Sequence, residues 1–386
     1  MELREYLKNF RNVSTPAYYF DTDVFEKRID FVNRELPEIP LTFSIKANPF
    51  LLNRLPQNLR HVEVCSPGEL KICKAYGIPG SRIIYSGVNK EIEDVTEAIE
   101  YGVDIATAES ILHVKLEQEA AKKANKQQRV ILRLTSGNQF GMSEADILSV
   151  LANQANYPNL DIYGIHYYSG TQKKKRQIDR DFEKLDVALM RFKKETGFVS
   201  KLVEMGPGFP VDYFNPPYDE AEEATLLENK DTILTFATKY PLGIEMGRYL
   251  AAPCGTYATK VMDIKNNSDT NYIICDGGIH HLKYHGQTMA MQIPEMEVLN
   301  TSPETKPYCI CGSLCTVADV LVREVELPVV SRNDVILFHR CGAYSVTEGS
   351  VLFLSRKIPE VYLYNETDGL EKMRGFVEAA DINRKE

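Results

Sequence analysis

The sequence lacks what membrane and nucleic-acid proteins need. No run approaches the ~18 uncharged apolar residues of a membrane-spanning helix. The opening residues, Met1-Glu2-Leu3-Arg4-Glu5, have none of the apolar core of a secretory signal. Positive charge is in deficit: 45 Lys plus Arg against 54 Asp plus Glu give a formal charge of −9. Sequence-independent nucleic-acid binding requires clustered cations, so that class is excluded. No His/Cys pair at zinc spacing accompanies Cys309-x-Cys311-x₃-Cys315, so no metal site is expected. Without an export signal, the eight cysteines read as reduced thiols of a cytoplasmic protein rather than a disulfide framework.

What is present is the composition of a globular protein with a sizeable core. Hydrophobic residues make up 44% and charged residues 26% of 386. That length predicts about two domains. Eight short apolar, β-rich runs cross the first two thirds: Leu41–Lys46, Val62–Cys65, Arg82–Ser86, Val103–Thr107, Val130–Leu134, Ile162–Tyr168, Leu202–Gly206 and Leu242–Met246. Between most of them lie segments with apolar residues at helical spacing, at Pro67–Tyr76, Lys90–Tyr101, Ser110–Asn125, Ser143–Asn153 and Arg180–Glu195. Eightfold alternation predicts an α/β fold, a (β/α)₈ TIM-like barrel over residues 25–250. A doubly wound sheet would want a glycine fingerprint after the first strand, and Lys46-Ala-Asn-Pro is not one. Beyond residue 250 the runs Tyr257–Ile264, Tyr272–Cys275, Leu321–Leu327, Val335–His339, Ser350–Leu354 and Val361–Tyr364 read as strands without clear helices between them. They predict a C-terminal antiparallel β domain of residues 251–386. The basic run Lys173-Lys174-Lys175-Arg176 reads as a solvated helix start, with a docking patch for an acidic partner as the alternative.

In a barrel, chemistry sits where strands meet the following helices. The first run ends in Lys46, whose ammonium must be paired, neutralised or covalently used. A desolvated lysine suits Schiff-base chemistry. The sixth run ends His166-Tyr-Tyr168-Ser-Gly-Thr171, the seventh Gly206-Pro-Gly208-Phe, and the eighth Glu245-Met-Gly247-Arg248-Tyr. Neighbouring glycine loops and an arginine form a phosphate cradle. Glu245 is a carboxylate in need of a cationic partner. Lysine, cradle and carboxylate together point to pyridoxal 5'-phosphate.

The order of these motifs resembles the fold-III pyridoxal-phosphate decarboxylases, the family of ornithine, arginine and diaminopimelate decarboxylases. The likeness covers nearly the whole chain. It is carried by Phe43-Ser-Ile-Lys46-Ala-Asn48, Glu63-Val-Cys-Ser66-Pro-Gly68-Glu69, Gln139-Phe-Gly-Met142, Gly206-Pro-Gly208-Phe209, Glu245-Met-Gly247-Arg248-Tyr249, Gly312-Ser-Leu-Cys315-Thr316-x-x-Asp319 and Gly342-Ala-Tyr344. The resemblance implies that Lys46 holds the cofactor as an aldimine. Arg133, His166, Tyr168, Thr171, Gly206, Gly208, Glu245, Gly247, Arg248 and Tyr344 complete the implied cofactor site, with Glu245 on the ring nitrogen. It further implies a homodimer with shared active sites, Cys315 acting in the partner's site as proton donor, and residues 1–24 joining the β domain.

Three departures bear on function. Tyr168 stands where the family has a His stacked on the ring. Pro207 removes one backbone donor from the glycine loop. Thr316 follows Cys315 where diamine-forming members place an acid for the substrate's distal ammonium, and threonine cannot make that contact. Leu314-Cys315-Thr316 together with Asp276-Gly-Gly-Ile-His280-His281 resembles the specialised-metabolite branch. That branch contains the butirosin carrier-linked glutamyl decarboxylase and the staphyloferrin B citryl-diaminopropionate decarboxylase. Thr316, His280 and His281 are then the candidate substrate contacts, and the substrate is a small amino-acid conjugate or a carrier-linked amino acid. The alternatives are a diaminopimelate, ornithine or lysine decarboxylase of primary metabolism, a fold-III racemase, and a non-catalytic regulatory homologue. His61, His113 and His339 read as structural or surface residues, and the seven cysteines other than Cys315 as packing residues.

Overall fold

A computed structural model describes residues 1–10, 12–300 and 302–385. The chain divides into two compact units. One comprises residues 28–211 and 219–249, the other residues 1–27, 212–218 and 250–386.

The first unit is a closed barrel of eight parallel strands. They run Leu41–Ser44, His61–Val64, Ile83–Tyr85, Ile105–Ala108, Gln128–Arg133, Leu160–Tyr168, Leu202–Gly206 and Leu242–Met246. The last closes on the first, with Thr42 opposite Glu245. Helices follow the strands because the intervening sequences carry both a start signal and an apolar face. Ser66, Ser110 and Ser143 cap Pro67–Ala75, Ile111–Lys123 and Glu144–Ala152, each hydroxyl accepting from the backbone N–H three residues on. Gly102 and Gly197 stop Ile92–Tyr101 and Lys175–Thr196 in the left-handed conformation at φ +83° and +76°. Helix Tyr218–Ala237, where none was expected, supplies the turn before the eighth strand.

Inside the barrel, Ile84, Ile105 and Ile131 pack with Tyr163 and Leu202 into an apolar layer. The inward positions nearer the strands' C-terminal ends are instead polar or charged: Ser44, Glu63, Thr107, Arg133, His166 and Glu245. Period-two alternation selects which side chains point inward, and most of the charged ones gather toward the strands' C-terminal ends, with Glu204 the exception below.

The second unit is a nine-stranded sheet. Its main path orders Val320–Pro328, Thr305–Cys311, Thr270–Cys275, Gly255–Asn267, Ala17–Asp21, Glu360–Asn365 and Gly369–Arg374. Val335–His339 pairs with both Gly255–Asn267 and Met296–Val298. Most pairings are antiparallel, but Ala17–Asp21 with Glu360–Asn365 and Thr270–Cys275 with Thr305–Cys311 are parallel. Ser350–Leu354, expected as a strand, is a turn entering the 3-10 segment Phe353–Ser355, with Leu354 at φ +59°. It is apolar without a neighbouring strand to pair with, and half to two-fifths of its large side chains' surface is exposed. Among the described residues no helix is long and apolar enough to cross a membrane.

Candidate active site

Lys46 sits just beyond the first barrel strand, on the 3-10 turn Ile45–Ala47. The strand itself stops at Ser44, two residues earlier than the apolar run implied. The Lys46 Nζ donates to Glu63 Oε2 at 2.8 Å and approaches Cys65 Sγ at 3.4 Å. The Cys65 thiol in turn reaches Glu63 Oε1 at 3.3 Å. Burial alone would raise the Glu63 carboxyl. The Lys46 charge and hydrogen bonds from Lys46 and Ser44 overcome it and hold the acid below its ordinary range. Cys65 is therefore not a packing residue. It is half-buried against the lysine, and burial together with Glu63 pushes its thiol well up. Register brings these groups together: Ser44 lies opposite Glu63.

On the strand that closes the barrel beside the Lys46 strand, Glu245 holds its Oε2 3.1 Å from His166 Nε2. Both are buried, and His166 Nδ1 has no hydrogen-bond partner among the described residues. Arg133 is opposite His166 in the sheet and pairs with Glu109. Glu109 also accepts from the Gly141 amide at 3.0 Å, so the segment around Gly141 is anchored to the arginine. Below this layer, Glu204 lies inside the barrel at 1% exposure. Burial, with the charges of Glu245 and Glu63, pushes it up to about 8.

The loops after strands six and seven are laced together. Lys173 N donates to Gly208 O at 3.0 Å, and Gln172 exchanges two bonds with the Val211 backbone, at 2.6 and 2.9 Å. Gly208 is at φ +65°, and a Cβ there would meet Gly170 O at 2.0 Å. Thr171 lies in the same laced loop, half-buried. The Tyr168 ring packs on Gly206, where a Cβ would meet it at 2.6 Å. Gly247 packs on the lysine turn itself, since a Cβ there would lie 3.2 Å from that of Ala47, and Arg248 follows it. The basic run is not a uniform solvated patch. Lys173 is buried, donating to Asp181 at 2.6 Å and Ser169 at 3.0 Å, and the helix starts only at Lys175.

The remaining expected residues belong to the sheet unit. Cys315 and Thr316 are exposed at the tip of a tight turn. Asp319 builds that turn. Its carboxylate accepts from Leu314 N at 2.7 Å and from Ile279 N at 2.8 Å, tying the cysteine turn to the segment before His280. A Cβ on Gly312 would meet an Asp319 oxygen at 2.3 Å and one on Gly278 at 2.6 Å, so both glycines are required by the clamp. His280 and His281 are buried with ring centroids 3.7 Å apart. Tyr344 is half-buried at φ +68°, a conformation uncommon outside glycine, Asn and Asp. The Tyr18 hydroxyl bridges the backbone carbonyls of His281 and Ser345, which places the Tyr344 loop beside the histidines.

Sequence reasoning missed Glu63 and Cys65 as partners of Lys46, Glu109 as the partner of Arg133, and Glu204. The available signal was a charge inside a strand-like apolar run, read at Lys46 but not at Glu63 or Glu204. His61, His113 and His339 are buried and partnered, by Asp104 at 3.0 Å, the Glu109 amide at 3.3 Å and Glu297 at 3.2 Å respectively. Among the described residues no group of three or more His, Cys, Asp or Glu is placed to hold a metal ion.

A closed barrel with a lysine in a carboxylate–thiol nest at its rim, beside laced glycine loops, is the framework of a fold-III cofactor enzyme. The family description "pyridoxal-dependent decarboxylase, pyridoxal binding domain" matches residues 22–252, more than half the chain, and the chain belongs to that family. It is 28% identical over 400 residues to the Niallia circulans decarboxylase of L-glutamyl groups on the BtrI acyl-carrier protein, covering 95% of this chain and 92% of the relative. Diaminopimelate decarboxylase of Bacteroides thetaiotaomicron is 26% identical over 390 residues, covering 93% and 98%. The Staphylococcus aureus decarboxylase of 2-((L-alanin-3-ylcarbamoyl)methyl)-2-hydroxybutanedioate is 25% identical over 383 residues, covering 91% and 94%. Diaminopimelate decarboxylase of Helicobacter pylori, solved with L-lysine, shares the fold at a TM-score of 0.85 and 21% identity, covering 98% of each chain. The protein is a pyridoxal-phosphate-dependent carboxy-lyase, and its residues fit that cofactor. Lys46 has a carboxylate to hold its ammonium, Gly208 lets the seventh loop close on the sixth, and His166 keeps a buried nitrogen beside Glu245.

Proposed function

We propose that the enzyme removes the α-carboxylate of an amino-acid conjugate whose remote end is not an ammonium. The observation that carries this is Thr316 at the exposed tip after Cys315, held there by the Asp319 clamp. A hydroxyl gives a distal ammonium no charge-assisted partner. Two relatives named for a carrier-linked glutamyl group and a hydroxybutanedioate conjugate support the same reading. Diaminopimelate decarboxylases at similar identity supply its rival.

Lys46, Gly208, Gly247, Arg248, Thr171 and Tyr344 would hold pyridoxal phosphate, with His166 and Tyr168 beside it. When bound, that cofactor supplies an electron sink for the charge left by the departing carboxylate. Glu245, braced by His166, keeps a proton on the ring nitrogen. Glu63, held ionised, anchors the Lys46 ammonium across 2.8 Å. Cys315 donates a proton to the substrate carbon in the partner's site, so the working form is a cytoplasmic homodimer.

The test is carbon dioxide release from amino acids, diamino acids, conjugates and carrier-tethered amino acids. Turnover is expected on conjugates or tethered substrates. Strong turnover of lysine, ornithine or diaminopimelate would sink the reading of Thr316. Lys46→Ala should lose both the bound cofactor's visible absorbance and activity, and a fully active variant would overturn the scheme.

A further inference from the structure

The sheet unit contains a cavity of about 710 Å³ whose lining includes His281, Arg356, Lys357, Lys260, Asp276 and Glu378. Its carboxylates are already satisfied. Asp276 accepts from Thr15 and Thr259 at 2.7 Å and from Lys260 N at 2.8 Å. Glu378 pairs with Lys357 at 3.0 Å. Arg356 is different. Its guanidinium donates to a neutral acceptor, the Ser313 carbonyl, at 2.8 Å, and meets no carboxylate at ion-pair distance among the described residues. Ser313 stands two residues before Cys315.

Within electrostatic reach of this guanidinium, or on the residue it bonds, are buried polar atoms with no partner among the described residues: His280 Nδ1 and Nε2, His281 Nε2 and Ser313 Oγ. His281 is 1% exposed and lines the cavity, and its Nδ1 meets the Tyr257 hydroxyl at 2.8 Å. With that hydroxyl donating to Nδ1, the ring proton sits on Nε2. Burial and then Arg356 hold His280 at about 4, and burial, His280 and Arg356 hold His281 well below the ordinary imidazole range. Both rings are neutral at pH 7. An unmade hydrogen bond at a buried polar atom is destabilising until a partner supplies it. Such orphans beside an unpaired cation are what an anion-binding site looks like before its anion arrives.

We propose that Arg356, with Ser313, His280 and His281, forms a subsite for a carboxylate at the remote end of the substrate, so that the conjugate acted on is anionic at the end away from its α-carbon. This rests on the decarboxylase reading for its connection to the reaction, because Ser313 adjoins Cys315. A distal ammonium would face a guanidinium, and a neutral end would bring no charge to complement it.

The experiment is calorimetric titration of the cofactor-loaded enzyme with glutarate, and with glutaramide as its neutral counterpart. Loading fills the phosphate cradle, so a dicarboxylate must bind elsewhere. Glutarate is expected to bind. Arg356→Gln should weaken it about tenfold to a hundredfold, as for a lost charge-assisted bond, and Arg356→Lys should lie between. Arg356 is exposed, so these variants should fold. Arg191→Gln, which removes a cation from an exposed pair on a barrel helix, should bind as the wild type does. Equal binding by Arg356→Gln, preference for the diamide, or no binding of glutarate would overturn the subsite. Carbon dioxide release is measured in parallel on amino acids with anionic, neutral and cationic remote ends. No release from any of them, with Arg356-dependent glutarate binding intact, would overturn the decarboxylation reading and support the subsite. Faster release from the cationic set would overturn the subsite.

Discussion

Glu204 shows what a single side chain costs inside a barrel. Burial and two neighbouring carboxylates lift it to about 8, so it is protonated at neutral pH in the fold and ionised in the unfolded chain. A raised carboxyl contributes stability that is full below the unfolded value near 4.3 and is lost as pH climbs to 8. Stability should therefore fall from pH 5 to pH 8 by up to about 1.4 kcal/mol per unit from this group. Glu204→Gln should flatten that part of the slope, read by urea unfolding at several pH values. A variant with the wild-type slope would assign the titration elsewhere. Glu63 is the opposite case, held ionised by Lys46. Glu63→Gln keeps the shape but removes the carboxylate charge that anchors the Lys46 ammonium. A loss of ~10²-fold in kcat/KM is expected with melting nearly unchanged. The partner of Glu63 is not legible from its own position, because Lys46 lies on the turn after one strand and Glu63 on the next strand, and they meet only through the register of Ser44 with Glu63.

At the scale of elements, the laced loops at strands six and seven hold the glycine segment in place. Gly208→Ala would force a side chain at φ +65° into Gly170 O. It should cost about 1–3 kcal/mol of stability and weaken cofactor binding, measured by titrating the apoenzyme with pyridoxal phosphate and following absorbance. Unchanged affinity would detach this loop from the cofactor. Elements were legible where local pattern suffices. Leu202–Gly206, Leu242–Met246 and Val335–His339 are strands at the bounds their apolar runs give. They were not legible where a distant partner decides. Ala17–Asp21 is a strand because Gly255–Asn267 and Glu360–Asn365 flank it, and Ser350–Leu354 is not one because nothing does. The burial of Lys173 within a run of cations likewise depends on Asp181, nearly two helical turns inside the next element. The order of motifs along the chain points to the lysine, carboxylate and glycines as candidates, whereas the contacts of Cys65 with Lys46 and of Arg356 with Ser313 needed coordinates.

For the whole molecule, sharing of sites between two copies is the testable expectation. Mixing Lys46→Ala with Cys315→Ala, each inactive alone, should restore roughly a quarter of the wild-type rate after subunit exchange. Half of random pairs are mixed, and each mixed pair holds one intact site. No recovery, in chains shown to exchange, would place lysine and cysteine of one copy in the same site. The sheet unit carries a consequence for how the molecule is made. Ala17 lies opposite Glu360, so an interior strand drawn from near the start of the chain waits for one near its end. The order of synthesis is not the order of assembly. Until Gly255–Asn267 is made the Ala17–Asp21 segment, Ala-Tyr-Tyr-Phe-Asp, lacks both flanking strands, and until Glu360–Asn365 is made it lacks one, which makes it the stretch a nascent-chain chaperone would be expected to shield.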